Sequence, residues 1–326
     1  MKKRSLLFLL SITLLMAGCA GKENTVSVEQ ETENENQAGD SAIDNQPGDS
    51  AIDNQSEFSS TEEQPESPST ETGTEPEPRI LHFVDAFGES YETEIREDFP
   101  FHSYDLDAFR WREDRVSYEA EDYVCRQGID VSAYQGNVDW EKVKASGCEF
   151  AFIRLGFRGY GQAGNICLDK KYQQNMQRAQ AAGMDVGVYF FSQAVNEEEA
   201  IEEAQFVLKQ LEGYDLQLPV VYDPESIIGD DSRTDGVSGE QFTKNSLAFC
   251  REIQDAGYDT MIYSNMKWEA FELDLAQLSE YPIWYADYVP LPQTPYNFTV
   301  WQYSESGKVD GIDGAVDLNL WIEKRT

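Results

Sequence analysis

Histidine is nearly missing from this sequence: two residues in 326, His82 and His102, both well ahead of the richest strand patterns. Lys and Arg are scarce as well, 25 against 61 Asp and Glu, for a net charge of −36. Affinity for nucleic acid or anionic lipid comes from Lys and Arg neutralising phosphates, so that balance argues against both as partners. No CxxC pair occurs among the five cysteines, which leaves neither a zinc ribbon nor a thioredoxin-like motif. No GxGxxG or GxxxxGK(S/T) follows any strand pattern, which weakens a nucleotide-binding sheet. Nothing in the chain calls for a cofactor or a metal. Aromatic residues, at 12%, are plentiful enough for a sizeable core or a stacking cleft.

What is present divides the chain into four parts. Residues 1–19 open with Lys2-Lys3-Arg4, run almost wholly apolar from Leu6 to Met16, and end Ala17-Gly18-Cys19. A basic start followed by about ten apolar residues is a secretion signal, too short for a stable spanning helix. Small residues before a cysteine resemble a bacterial lipobox, so Cys19 is expected to be diacylated and to become the new N-terminus. The chain is then extracytoplasmic and lipid-anchored, or secreted if Cys19 stays unmodified, and touches membrane only through that lipid. Residues 20–78 are acidic and polar, with GDSAIDNQ written twice, at 39–46 and 48–55. Such a segment buries too little apolar area to offset its ordering entropy and reads as a disordered acidic linker. Residues 79–125 read as a small accessory or cap region: HFVDAFGESYETEI alternates like a hairpin turning near Gly88, and FHSYDLDAFRWRED like a short helix.

From residue 126 the pattern becomes strand-then-helix. Strands are expected at 128–132, 150–157, 185–194, 218–225, 260–265, 282–288 and 298–304, in near-continuous apolar runs that suit burial on both faces. Helices are expected from Leu168 to Ala182, Glu197 to Leu211 and Gln241 to Ala256, closed by Gly183, Gly213 and Gly257. This alternation predicts an α/β fold, with a barrel favoured over a doubly wound sheet.

In a parallel barrel the active site gathers at the C-terminal strand ends. Those ends offer Asp130, Tyr189, Gln193, Asp223, Glu225, Asn265, Asp287 and Gln302, a carboxylate-rich set without histidine. A Ser-His-Asp triad, a Cys-His pair and a His-ligated zinc amidase all need a histidine that the barrel lacks. A carboxylate mechanism of the glycosidase kind remains. Asp223-Pro224-Glu225 is the sharpest element, because residues i and i+2 of a strand point to one side. Two carboxylates so close cannot ionise equally easily, which supplies a general acid beside an anion. A helix cap or surface turn is the competing reading of the same tripeptide. Tyr189, Trp284, Tyr285, Trp301 and Tyr303 offer stacking faces for sugar rings, although core packing accounts for about half of such residues. Tyr189, Trp284, Tyr285 and Tyr303, with Gln193, Asn265 and Gln302, form the candidate substrate-binding set. Cys125, Cys148, Cys167 and Cys250 allow three full pairings or buried thiols, which the sequence does not rank.

The order of motifs is also familiar: GIDVSAYQGNVDWEKVKASGCEFAFIRLGFRGY, DKKYQQNMQRAQAAGMDVGVYFFSQA, PVVYDPES, AGYDTMIYSN, PIWYADY and WQYSESGKVDGIDGAVDLN. Over about 126–326 the chain resembles the family 25 glycoside hydrolases, the Chalaropsis-type lysozymes or N-acetylmuramidases. The resemblance implies a flattened, irregular, TIM-like (β/α) barrel that hydrolyses the β-1,4 bond after N-acetylmuramic acid in peptidoglycan glycan strands. It implies Glu225 as general acid/base, Asp223 as its carboxylate partner and Asp130 as a cleft carboxylate. It further implies Asp287 as a fourth acidic residue, and Asp317 as a residue closing the site, which joins the candidate substrate-binding set. Phe190 departs from the Tyr-His-Phe that many members carry, which removes a polar side chain expected near the cleft. A monomer is expected. The competing readings are a chitinase-like or endo-N-acetylglucosaminidase enzyme and a catalytically silent wall-binding module.

Overall fold

The computed structural model describes residues 77–325. The leader at 1–19, its Cys19 and the linker through 76 lie outside the described residues. Among the described residues no helix is long and apolar enough to cross a membrane.

Two small hairpins come first. Strands β1 (Ile80–Val84) and β2 (Ser90–Glu94) pair antiparallel, and Gly88 takes φ +81° in their turn, as the sequence predicts. The expected short helix over 101–114 is absent. Only one 3₁₀ turn forms, at Leu106–Ala108, and the chain then runs into a second hairpin, β3 (Phe109–Arg112) with β4 (Arg115–Tyr118). The reason is periodicity: Phe109, Val116 and Tyr118 are buried while Arg110, Arg112 and Ser117 face outward, a two-residue repeat that a helix cannot satisfy. Phe83, Phe99, Phe109 and Val116 belong to the same apolar cluster as the outer layer of the barrel.

The barrel follows. Its elements are β5 (Tyr123–Val131), α1 (Trp140–Ala145), β6 (Phe150–Arg158), β7 (Ile166–Leu168) and α2 (Tyr172–Ala181). Next come β8 (Asp185–Ser192), α3 (Glu197–Leu211), β9 (Val220–Pro224), α4 (Gly239–Asp255) and β10 (Thr260–Asn265). Strands β11 (Ile283–Ala286), β12 (Val300–Gly307) and β13 (Val316–Lys324) complete it. The ring order is β5-β6-β8-β9-β10-β11-β12-β13 and back to β5. Seven strands are parallel, at the positions predicted, and β13 closes the ring antiparallel to both β12 and β5. That eighth strand is not among the predicted ones. The barrel is irregular because only a π-helical turn, Trp268–Glu272, separates β10 from β11, and no helix separates β11 from β12. The three predicted helices are present, each followed by a left-handed glycine at 183, 213 or 257.

Alternation along each strand sends one set of side chains inward and the other against the helices. Inward lie Phe150, Phe152, Val221, Met261, Trp284 and Val300, with the Phe152 and Trp284 rings stacked at 4.6 Å. Gly187 is required here, since a Cβ would meet Phe152 and the carbonyl of Pro219 at 2.7 Å. Removing an interior aromatic of this kind costs about 3–5 kcal/mol. The plug fills the N-terminal end of the barrel and leaves polar side chains at the C-terminal end.

Candidate active site

Four carboxylates converge there: Asp130 on β5, Asp223 on β9, Glu225 just after β9, and Asp317 on β13. Antiparallel pairing of β13 with β5 sets Asp317 directly opposite Asp130. Asp130 Oδ2 accepts hydrogen bonds from Gln302 Nε2 at 2.9 Å and Asn319 Nδ2 at 2.8 Å. Gln302 Oε1 in turn accepts the hydroxyls of Tyr263 (2.9 Å) and Tyr288 (2.8 Å), and Asn319 Oδ1 accepts the Trp284 indole N–H (2.8 Å). Each amide is thereby fixed in one orientation. Burial raises the pKa of both Asp130 and Asp317. For Asp317 the neighbouring Asp130 charge adds to it, while the two amide donors work in the opposite direction at Asp130.

The second pair is built differently. Asp223 is 3% exposed, and its Oδ1 is buried without any hydrogen-bond partner. Burial, then the charges of Glu225 and Asp130, hold its pKa well above the ordinary carboxylate range. Burial pushes Glu225 up to about 7, against a hydrogen bond with Asp223 that lowers it. The pair therefore retains a proton at neutral pH. Arg154 is the nearby cation, lowering both carboxyls, and is itself fixed by Asp169 through Nε at 2.9 Å and Nη2 at 2.9 Å. Gln193 Nε2 donates to the Glu225 carbonyl at 2.6 Å, and Thr234 Oγ1 donates to Gln193 Oε1 at 3.0 Å, which fixes the backbone that carries Glu225.

A cleft of about 570 Å³ exposes these groups, with Tyr189, Trp284 and Gln302 in its wall. A smaller pocket of about 230 Å³ adjoins it, with Asn265 and Lys267 in its lining, and Glu225 borders both. Asn265 Oδ1 is occupied by the backbone N–H groups of Lys267 and Trp268, so the residue shapes the pocket wall.

Four of the expected residues, Tyr285, Asp287, Trp301 and Tyr303, face the other way. Trp284 and Ala286 point inward, which turns Tyr285 and Asp287 outward. The Tyr285 hydroxyl donates to Asp287 Oδ2 at 2.7 Å, and that carboxylate also accepts the Gln293 backbone N–H at 3.0 Å. On β12, Gln302 points inward while Trp301 and Tyr303 point outward, where the Trp301 indole donates to the Asp287 backbone carbonyl at 2.8 Å and the Tyr303 hydroxyl to Gln127 Oε1 at 2.9 Å. Asp287 borders the smaller pocket yet stands apart from the other carboxylates, and Asp317 completes the set of four. Phe190 also points outward, fully buried and 6.2 Å from Phe206, so its departure from Tyr-His-Phe removes nothing from the cleft wall. Sequence reasoning missed Arg154, Tyr263 and Tyr288. A charge inside the apolar run FAFIRLGF was the available signal for Arg154, and Tyr263 lies in phase with Asn265.

Cys148 and Cys250 are buried thiols, and burial pushes Cys250 up to about 12. His82 is exposed on β1, and His102 stacks on Tyr104 at 5.3 Å, so the cleft contains no histidine. Among the described residues no group of three or more His, Cys, Asp or Glu is placed to hold a metal ion.

An irregular barrel carrying histidine-free paired carboxylates at its strand ends defines a class of carboxylate-dependent glycoside hydrolases. The family model "Glycosyl hydrolases family 25" matches residues 129–312, more than half of the chain, and the chain belongs to that family. It is 28% identical over 198 residues to the autolytic lysozyme of Clostridium acetobutylicum, covering 60% of this chain and 56% of that one. It is 30% identical over 203 residues to lysozyme M1 of Streptomyces globisporus, covering 59% and 66%. The chain thus spans between about half and two thirds of the length of these relatives. Among solved structures, the bacterial lysozyme of Streptomyces coelicolor superposes with a TM-score of 0.51 at 27% identity, over 62% of this chain and 92% of that one. A family 25 glycosyl hydrolase of Bacillus anthracis shares the fold at a TM-score of 0.51 and 23% identity, over 65% and 94%.

Proposed function

We propose that the protein is a peptidoglycan hydrolase, an N-acetylmuramidase that cleaves the β-1,4 bond between N-acetylmuramic acid and N-acetylglucosamine. The observation that carries the mechanism is the buried, partnerless Asp223 Oδ1 beside a Glu225 that holds its proton up to about 7. Both carboxyls come from one strand end and lie on the same side of the scissile bond. One is therefore badly placed to attack the opposite face of the sugar while the other protonates the leaving group. Substrate-assisted glycosidases use the substrate's own 2-acetamido oxygen instead. In this reading Glu225 gives its proton to the glycosidic oxygen as the C1–O bond breaks. The acetamido carbonyl oxygen bonds to C1, forming an oxazolinium. The acetamido N–H donates to Asp223 and so favours its ionised form, which leaves the shared proton on Glu225 and a carboxylate to balance the positive charge. Water then attacks C1 as the C1–O bond to the acetamido oxygen breaks and the acetamide reforms, and the water gives a proton to Glu225, with net retention. Asp130, held by Gln302 and Asn319, is the fixed anion that helps keep the proton on the pair.

Digestion of purified sacculi followed by borohydride reduction tests the bond cleaved. New ends should reduce to muramitol; glucosaminitol would move the enzyme to the glucosaminidase reading, and no products would leave a wall-binding module. A rapid NMR time course should show retention, and de-N-acetylated muramic acid should be a very poor substrate. We further infer an extracytoplasmic monomer anchored through a lipid on Cys19, supported by the lipobox-like leader. Cys19→Ser should release it from membranes; unchanged fractionation with no lipid mass on the N-terminal peptide would exclude the anchor.

A further inference from the structure

The β1–β2 hairpin precedes the family-matched residues 129–312, yet its turn reaches the site. Val84, Asp85 and Phe87 line the smaller pocket, which shares Glu225, Tyr263 and Tyr288 with the carboxylate cleft. The turn is fixed rather than loose. Asp85 Oδ1 accepts the backbone N–H groups of Phe87 (2.9 Å) and Glu89 (3.0 Å), and its Oδ2 lies 3.9 Å from Lys267 Nζ. Gln293 bonds the Val84 N–H and carbonyl, each at 2.9 Å, and donates to Asp287, which ties the hairpin to the end of β11. Phe83, Tyr91 and Phe271 pack behind it, with ring centroids 5.4–6.2 Å apart. From this frame Phe87 projects 61% exposed, and Ile228, 67% exposed, borders the same pocket. Single exposed apolar residues need no explanation, but an aromatic held by a rigid turn in the wall of a cleft is preorganised for a ligand.

We infer that the hairpin forms the binding site for the sugar on the leaving-group side of the scissile bond, an N-acetylhexosamine whose C–H face stacks on Phe87. The inference rests on the muramidase reading above. Glu225 delivers its proton to the glycosidic oxygen, so the bond lies at Glu225, where the two cavities meet. Asp223 holds the acetamido sugar on the deep side. The departing sugar then occupies the pocket that the hairpin walls.

The test compares peptide-free glycan strands with the β-glycosyl fluoride of the disaccharide ending in muramic acid, which carries no sugar beyond the bond. Phe87→Ala, an exposed change, is expected to lower kcat/KM about tenfold more on strands than on the fluoride, with the loss in KM. Phe87→Trp should restore it. Equal losses on both substrates, or none on either, overturn the inference. So does a loss seen only on peptide-bearing strands, which assigns Phe87 to the stem peptide. If the unaltered protein releases no muramitol-ended fragments, the muramidase reading falls and this one with it. If it releases them and Phe87→Ala matches the parent, only the role of the hairpin falls.

Discussion

The two carboxylate pairs at the barrel mouth are chemically alike and structurally opposite. Asp130 is saturated: Gln302 and Asn319 bond it, and Tyr263, Tyr288 and Trp284 fix those amides. Asp223 has a buried oxygen with no partner, and Glu225 beside it stands at the groove. A buried carboxyl oxygen left unbonded costs about 1–3 kcal/mol or more. A protein tolerates that where a ligand supplies the missing donor. In the proposed mechanism this contrast divides a pair that holds the site from a pair that acts in it.

Breaking the acting pair should produce the largest effect. Glu225→Gln keeps size and polarity but cannot protonate the leaving oxygen, and general acid catalysis is worth about 10²–10⁴-fold. Turnover on sacculi should fall in that range with the fold intact by circular dichroism. Activity within a few-fold of the parent would refute the acid assignment.

Asp223→Asn should come next, at about 10²-fold, because an amide cannot balance the oxazolinium charge. Its second signature is stability. A carboxyl with a raised folded pKa contributes stability that is present below its ordinary range and lost as pH rises through the folded value. Asp223→Asn should therefore raise the Tm relative to the parent at pH 8 more than at pH 4. A uniform fall in Tm would mean that Asp223 belongs to the holding pair.

Much of this was legible beforehand, and the exceptions share a cause. Seven parallel strands announce themselves through apolar runs such as FAFIRLGF and DVGVYFFSQA. The eighth, VDLNLWIEK, alternates instead, and breaks the strand–helix rhythm by running antiparallel. Asp223 and Glu225 were readable because they lie two residues apart. Place along the chain alone groups Tyr285, Asp287, Trp301 and Tyr303 with the site, because it does not phase the two-residue period against a known inward residue. Trp284 and Gln302 supply that phase. Asp317 is reachable from the sequence only through the family resemblance, because its pairing opposite Asp130, 187 residues distant, is encoded by no local pattern.

Asp130→Asn probes the holding pair and should cost less, about tenfold. Asparagine can place its oxygen where Oδ2 accepts both amides and turn its NH₂ toward Asp317, so the network survives. What disappears is a negative charge that raises Glu225. In the proposed mechanism Glu225 acts in its protonated form, so kcat/KM of the parent should fall as pH rises through about 7. In Asp130→Asn that falling limb should move to lower pH. A limb that stays in place, or moves upward, would show that Asp130 does not act on Glu225 through its charge.

Asp287→Asn should give the smallest effect on chemistry. Its carboxylate accepts the Tyr285 hydroxyl and the Gln293 backbone N–H on the outer face of β11, where an amide oxygen can still accept. Burial raises its pKa, but none of the four cleft carboxylates is among the groups that set it. A neutral side chain at 287 thus leaves the Glu225 proton undisturbed. The expected kcat lies within about threefold of the parent, and the alkaline limb of the pH profile is unmoved, since about 1.4 kcal/mol separates each tenfold step in rate. Any shift should fall in KM, through the Gln293 link to Val84. A loss of 10²-fold in kcat would place Asp287 among the acting carboxylates and erase the division between the inner and outer faces of β11.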